Sequence, residues 1–133
     1  MKHRYTGSCH CGVVRVEVSA DRPLQSSKCN CSICTKMRFW KAIVLAANFR
    51  LISGEEGLSG YRFGQGNICH QFCATCGVKV FGNGEAEALG GEFYAINVAS
   101  LDISPRDLAD AIVQFQDGRN DKFECAPQIA SYL

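Results

Sequence analysis

The chain is short of charge imbalance, of proline, of long apolar runs and of anything resembling a leader. Net charge is only +1 over 133 residues, so bulk electrostatics predict neither a nucleic-acid nor an anionic-membrane partner. The longest apolar run, residues 42–47, is far too short to span a bilayer. The opening Met1-Lys2-His3-Arg4-Tyr5-Thr6 has no apolar stretch of the secretory kind, and a cytoplasmic location is expected. Three prolines against 13 glycines predict many turns and few long helices. No internal repeat, linker or low-complexity tract appears. There is also no nucleophile elbow, no phosphate-binding glycine motif and no convincing pair of carboxylates, so the commoner hydrolase and nucleotide chemistries lack their residues.

What is present is ordinary globular composition, 47% apolar and 20% charged, of a length that fits one domain over residues 1–133. Val14, Val16 and Val18 alternate with Arg15 and Glu17, as a half-buried strand requires. Further short strands are predicted at 42–45, 49–52, 58–63, 68–72, 78–81, 93–98 and 112–115. Turns are expected at 20–23, 53–57 and 64–67. Residues 82–91 contain four glycines and no β-branched residue, which predicts a mobile surface loop. One helical turn is expected over 32–37, with Ser32 as its cap. Another opens at Ser104-Pro105, a cap followed by proline at the first helical position. The fold class is therefore all-β, mainly strands with one or two short helices.

Cysteine is the abundant special residue: nine of 133. An odd number in a chain expected to be cytosolic favours reduced, metal-bound thiols over disulfides. Cys29, Cys31 and Cys34 fall within six residues, within reach of one soft divalent ion, with zinc the default for thiolates. Two more groups flank them. Cys73 and Cys76 bracket a tight turn followed by Gly77, in the manner of a zinc knuckle. Cys9 and Cys11 stand two apart, so on an extended segment both point to one face. The two pairs together make four thiolates, enough to close a structural site. That leaves Cys29, Cys31 and Cys34 for a second metal with an open position, as a catalytic site needs. Spacing alone also allows Cys31 and Cys34 to join Cys73 and Cys76 in a four-cysteine ribbon. The first division is preferred because it uses seven cysteines without remainder.

Gly7-Ser8-Cys9-His10-Cys11-Gly12, Cys29-x-Cys31-Ser32-x-Cys34, Phe72-Cys73-x-x-Cys76-Gly77 and Asn97-Val98-Ala99-Ser100-Leu101-Asp102 together resemble the glutathione-dependent formaldehyde-activating family, which also includes centromere protein V. The order and approximate spacing match over most of the chain. Asn30 and Thr35 stand where members often carry His and Arg. The resemblance implies a β-tent fold. It implies a structural zinc on Cys9, Cys11, Cys73 and Cys76, and a catalytic zinc on Cys29, Cys31 and Cys34. It also implies addition of glutathione to formaldehyde to give S-hydroxymethylglutathione, formally a carbon–sulfur lyase reaction run backwards, with a small-molecule thiol as partner.

The remaining candidates are weaker. Cys69 reads as a small buried apolar residue, and Cys125 as the same or an exposed spare. His10 is expected to face away from its flanking cysteines, His70 to be core or surface, and His3 is uninformative. Lys28, Lys36, Arg38 and Lys41 surround the trio. They form either a solvated face or a set of partners for substrate carboxylates. Phe39 and Trp40 wall a pocket or pack in the core. The rival functional class is a non-catalytic zinc module whose sheet face binds protein or RNA.

Overall fold

A computed structural model describes residues 2–133; Met1, the first residue of the expected domain, lies outside the described residues. In chain order the elements are β1 (His3–Ser8), β2 (Arg15–Ala20), β3 (Gln25–Cys29), α1 (Ser32–Met37), β4 (Trp40–Leu45) and β5 (Phe49–Ser53). There follow β6 (Leu58–Tyr61), β7 (Ile68–Cys73), β8 (Lys79–Ala86), β9 (Gly91–Asn97), α2 (Pro105–Asp110) and β10 (Ile112–Gln116). The fold is all-β with two short helices. A small sheet runs β1-β2-β5, and a seven-stranded sheet runs β10-β3-β4-β9-β8-β7-β6. Every pairing is antiparallel except β10 against β3.

The main core draws on both sheets. Val16 and Val18 of β2 meet Ala42 and Val44 of β4, Val80 and Phe81 of β8, and Ile96 of β9. The predicted valine alternation holds: Val14, Val16 and Val18 are all buried, while Arg15 is exposed. Side chains alternate across a strand, so Phe93 and Ala95 of β9 face the other way from Ile96. They lie in a second, smaller core with Cys29, Cys34 and Phe39. The large sheet thus buries a face on each side, and the second face carries one of the cysteine clusters.

A β-bulge decides which side chains reach that second face. Gln71 pairs with Phe81 while Phe72 pairs with Lys79, so Val80 is the extra residue. The bulge lets Val80 and Phe81 both enter the main core and leaves Lys79 on the opposite side.

Three expectations need correction. Residues 82–91 are not mainly a loop: β8 runs on to Ala86 and pairs with β9 from Phe81 to Ala86. Gly82 and Gly84 of this strand lie where the backbone of residues 67–69 comes close. A Cβ on Gly84 would sit 2.6 Å from the Asn67 carbonyl oxygen. The cap of α1 is Cys31, not Ser32. Cys9 and Cys11 are joined by a turn, not an extended segment, with Gly12 N–H donating to the Cys9 carbonyl at 3.2 Å. Gly12 takes the positive φ of 83° that this turn requires. By contrast, α2 begins as expected, with Ser104 Oγ accepting from Asp107 N–H at 3.1 Å.

Candidate metal and thiol site

The structure brings the seven cysteines together in two groups, in the division preferred above. The sulfurs of Cys9, Cys11, Cys73 and Cys76 lie within 4.8 Å of one another, and so do those of Cys29, Cys31 and Cys34. The ribbon alternative, Cys31 and Cys34 with Cys73 and Cys76, does not form.

The four-sulfur group ties the small sheet to the large one. Cys9 and Cys11 follow β1; Cys73 closes β7, and Cys76 lies in the turn to β8. Gly77, at a φ of 78°, turns the chain so that its N–H meets the Cys73 carbonyl at 2.8 Å. The turn aims further N–H groups at sulfur. Thr75 and Cys76 donate to Cys73 Sγ at 3.4 and 3.5 Å, and Val14 donates to Cys9 Sγ at 3.3 Å. Sulfur separations of 3.6 Å link Cys9 to Cys11 and Cys11 to Cys73. A tetrahedron with metal–sulfur bonds of about 2.3 Å has edges of roughly 3.8 Å, so the spacing fits one ion. Backbone N–H groups of Cys11 and Val78 hold the Cys76 thiol down at about 6, which favours its thiolate form.

The three-sulfur group sits at the end of β3 and the start of α1, on the second face of the large sheet. Cys31 N–H donates to Cys29 Sγ at 3.4 Å. Donation from the Cys34 thiol draws Cys31 down to about 5, helped by the Cys34 backbone N–H, Cys29 and Lys41. The same pairing, with burial, pushes Cys34 up. Burial raises Cys29 against N–H donation from Cys31 and Gly118. The opposite shifts mark Cys31 as the sulfur of this group whose surroundings most favour the thiolate. A soft, thiolate-rich donor set suits zinc-type ions, so both groups fit the metal that the sequence implies. Among the described residues this second group ends at three. Cys69 packs instead beside Gly60, whose added Cβ would lie 2.8 Å from its sulfur, and Cys125 is exposed on the C-terminal segment.

The polypeptide after β10 forms one wall of the trio. A Cβ on Gly118 would fall 2.5 Å from Cys29 Sγ and 3.2 Å from Cys31 Cβ, so only glycine fits there. The turn is fixed by Asn30, buried beside the trio. Its amide donates to Asp117 Oδ1 at 2.8 Å and accepts from Arg119 N–H at 2.9 Å. Asn120 and Asn30 hold the Asp117 carboxyl below the usual range. Thr35, beside Cys34, has a buried hydroxyl with no hydrogen-bond partner among the described residues.

The basic residues proposed from sequence are mostly engaged. Lys28 lies over the Trp40 ring at 5.2 Å, Arg38 donates to the Tyr132 carbonyl at 2.5 Å, and Lys41 donates to Gln116 Oε1 at 3.0 Å. Lys36 is exposed. Phe39 is buried in the trio's core, whereas Trp40 borders the main one and donates to Ser26 Oγ. His10 is exposed, and His3 packs edge-on against Tyr5.

Sequence reasoning passed over Lys79. It is 93% buried, since only 7% of its surface is exposed, and lies on the trio's side of the sheet. Its Nζ is 3.6 Å from the Phe39 ring centre, 3.7 Å from Met37 Sδ and 2.6 Å from His70 Nδ1. Nothing in the local sequence marks it, because its placement follows from the bulge and from the pairing of His70 with Gly82.

Fold and site together define a small all-β protein carrying two separate cysteine clusters, one of four sulfurs and one of three. The chain belongs to the family described as glutathione-dependent formaldehyde-activating enzyme, whose model matches residues 4–117. It is also similar to the crystal structure of a Rhodobacter sphaeroides protein. The TM-score is 0.68 at 32% identity, covering 82% of this chain and 99% of that one.

Proposed function

We propose that the protein is a zinc-dependent enzyme of the carbon–sulfur lyase type. It would act on a thiol adduct such as S-hydroxymethylglutathione, the product of glutathione and formaldehyde. Cys9, Cys11, Cys73 and Cys76 would hold a structural zinc within a β-tent fold, and Cys29, Cys31 and Cys34 a second zinc in a single cytoplasmic domain. The observation that carries this reading is the difference between the groups: four sulfurs converge in one and three in the other.

When bound to the trio, zinc would supply an open position and a positive charge that favour the thiolate form of a substrate. The chain's own residues do the rest. Gly118 and Cys31 direct N–H groups at Cys29, and the Asn30–Asp117 network fixes that turn. Phe39, Phe93 and Ala95 keep the floor of the site dry, which strengthens electrostatic interactions within it. Lys36, exposed at the end of α1, would meet a substrate carboxylate. Lys28, Arg38 and Lys41 would exchange their present partners to do so.

The test is enzyme-dependent exchange between free and glutathione-bound formaldehyde, followed by carbon-13 NMR with labelled formaldehyde. Wild-type protein should accelerate exchange above the uncatalysed rate, and Cys31→Ser should not. Equal rates with and without wild-type protein would overturn the reading and leave the non-catalytic zinc module as the alternative.

A further inference from the structure

We propose that Lys79 is the proton donor to the substrate oxygen at the three-sulfur site, with His70 positioning its amine. This rests on the thiol–aldehyde reading above and assigns the acid that reading lacks. In the forward direction the substrate sulfur forms a bond to the aldehyde carbon. The carbon–oxygen π pair moves onto oxygen, and oxygen takes a proton from the Lys79 ammonium. The proton that leaves the thiol on binding returns to the solvent, from which the amine is reloaded. Atoms and charge therefore balance as thiol plus aldehyde giving hydroxymethyl thioether. In reverse, the neutral amine removes the hydroxyl proton as the carbon–sulfur bond breaks.

The geometry carries the assignment. A buried ammonium ordinarily demands a carboxylate partner, and none of the ion pairs among the described residues includes Lys79. Its contacts are instead an aromatic face, a thioether and an imidazole nitrogen. All lie on the face that carries the trio, and Phe39 shares a core with Cys29 and Cys34. The amine passes beside Gly82 to reach His70, its Nζ 3.6 Å from where a Cβ would stand, an ordinary contact distance. An ammonium can only donate, so His70 Nδ1 accepts. Phe63 stacks on the same ring at 5.8 Å, which fixes the imidazole plane.

The electrostatics agree with the geometry. Burial, then the charge of Lys79, brings His70 down to about 4, so the ring stays neutral and keeps Nδ1 as an acceptor. Burial brings Lys79 down to about 8, where a donor both carries its proton at neutral pH and releases it readily. The groups acting on it from neighbouring elements are His70 and Cys69 of β7, Cys31 and Cys34 at α1, and Lys41 of β4. Because the protonated form is the donor, the forward rate should fall as pH rises through about 8.

The test compares Lys79→Met, Lys79→Arg and His70→Phe with wild type, each loaded with two metals. Formaldehyde–glutathione exchange is measured from pH 6 to 9.5, a range of roughly the span over which such an acid titrates. Both Lys79 variants should lose on the order of 100-fold or more of the enzyme-dependent rate. Lys79→Arg should also lose the alkaline limb, since arginine keeps the charge but does not release its proton. His70→Phe keeps the ring and removes Nδ1. It should cost about 10-fold to 100-fold by misplacing the amine. A readout independent of turnover is nitrogen-15 NMR of the Lys79 amine, which should titrate near 8 and shift when glutathione is added. Lys79→Arg exchanging at the wild-type rate with an unchanged limb would overturn the proposal, leaving Lys79 as a charge alone. So would an amine resonance indifferent to glutathione, or loss of the second metal from Lys79→Arg. Absence of exchange in wild type would overturn the functional reading itself and the proposal with it.

Discussion

The two sulfur clusters use the same ligand atom and differ in what stands around it. At the four-cysteine cluster, Cys9 and Cys73 belong to the main core, and a set of N–H groups points at sulfur from turns on both sheets. The three-cysteine cluster lies on the other face of the large sheet, walled on one side by the segment after β10. It contains features that stability alone does not favour: a buried lysine without a carboxylate and a buried threonine hydroxyl without a partner. The contrast separates a region that joins two sheets from one that buries a lysine amine against an imidazole and leaves one threonine hydroxyl unpaired among the described residues. Unsatisfied polar groups concentrate where function needs them.

The largest effect should come from treating the clusters alike. Cys9→Ser should abolish cooperative thermal unfolding if the four cysteines hold a structural metal, because such binding, on the order of 10 kcal/mol for zinc, rivals the whole stability of a domain. Cys31→Ser should melt within a few degrees of wild type, about the shift of a 1 kcal/mol change, while losing one metal and the exchange activity. Calorimetry with metal analysis on both variants checks this, and similar melting curves would erase the distinction.

Stepwise chelation should remove the metal of Cys29, Cys31 and Cys34 first, with the far-ultraviolet circular dichroism unchanged until the second metal leaves. Simultaneous loss would argue against two roles.

Gly118→Ala places a methyl group where Cys29 Sγ lies 2.5 Å away. It should weaken the second metal by about 10-fold to 100-fold, the range typical of groups that orient ligands. The first metal should be unaffected. Competition against a chromophoric chelator measures both affinities.

The smallest effect should be Thr35→Val. Removing a buried hydroxyl without a partner should leave stability unchanged or raise it by about 1 kcal/mol, read as an equal or higher melting temperature. A loss of similar size would mean that the hydroxyl is already satisfied and that the contrast is weaker than described.

Much of this contrast was legible in sequence, because ligand spacing is local. Cys73-Ala74-Thr75-Cys76-Gly77 encodes its own turn, and three thiols within six residues have few other uses. The valines of β2 and the Ser104-Pro105 start of α2 were legible for the same reason. β3 was not. Its Gln25-Ser26-Ser27-Lys28 shows no apolar alternation, and Ser26 and Ser27 are buried, Ser26 with hydrogen bonds to the Ile112 carbonyl and from Trp40. β1 was hidden by Thr6 and Gly7, although a Cβ on Gly7 would fall 2.6 Å from the Ser100 carbonyl oxygen. Lys79 and Gly118 were out of reach because each acquires its role from a segment distant in sequence. For Lys79 these are Phe39 and His70; for Gly118, Cys29.

The central claim, one closed cluster and one open, is tested most directly by titrating the doubly cobalt-substituted protein with glutathione while recording its visible spectrum. The account predicts that one of two cobalt ions changes its spectrum, with release of about one proton per thiol bound near neutral pH. It also predicts that Cys31→Ser removes the response. A spectrum unchanged by glutathione, cysteine and related thiols with both ions in place would contradict it, as would a response from both ions.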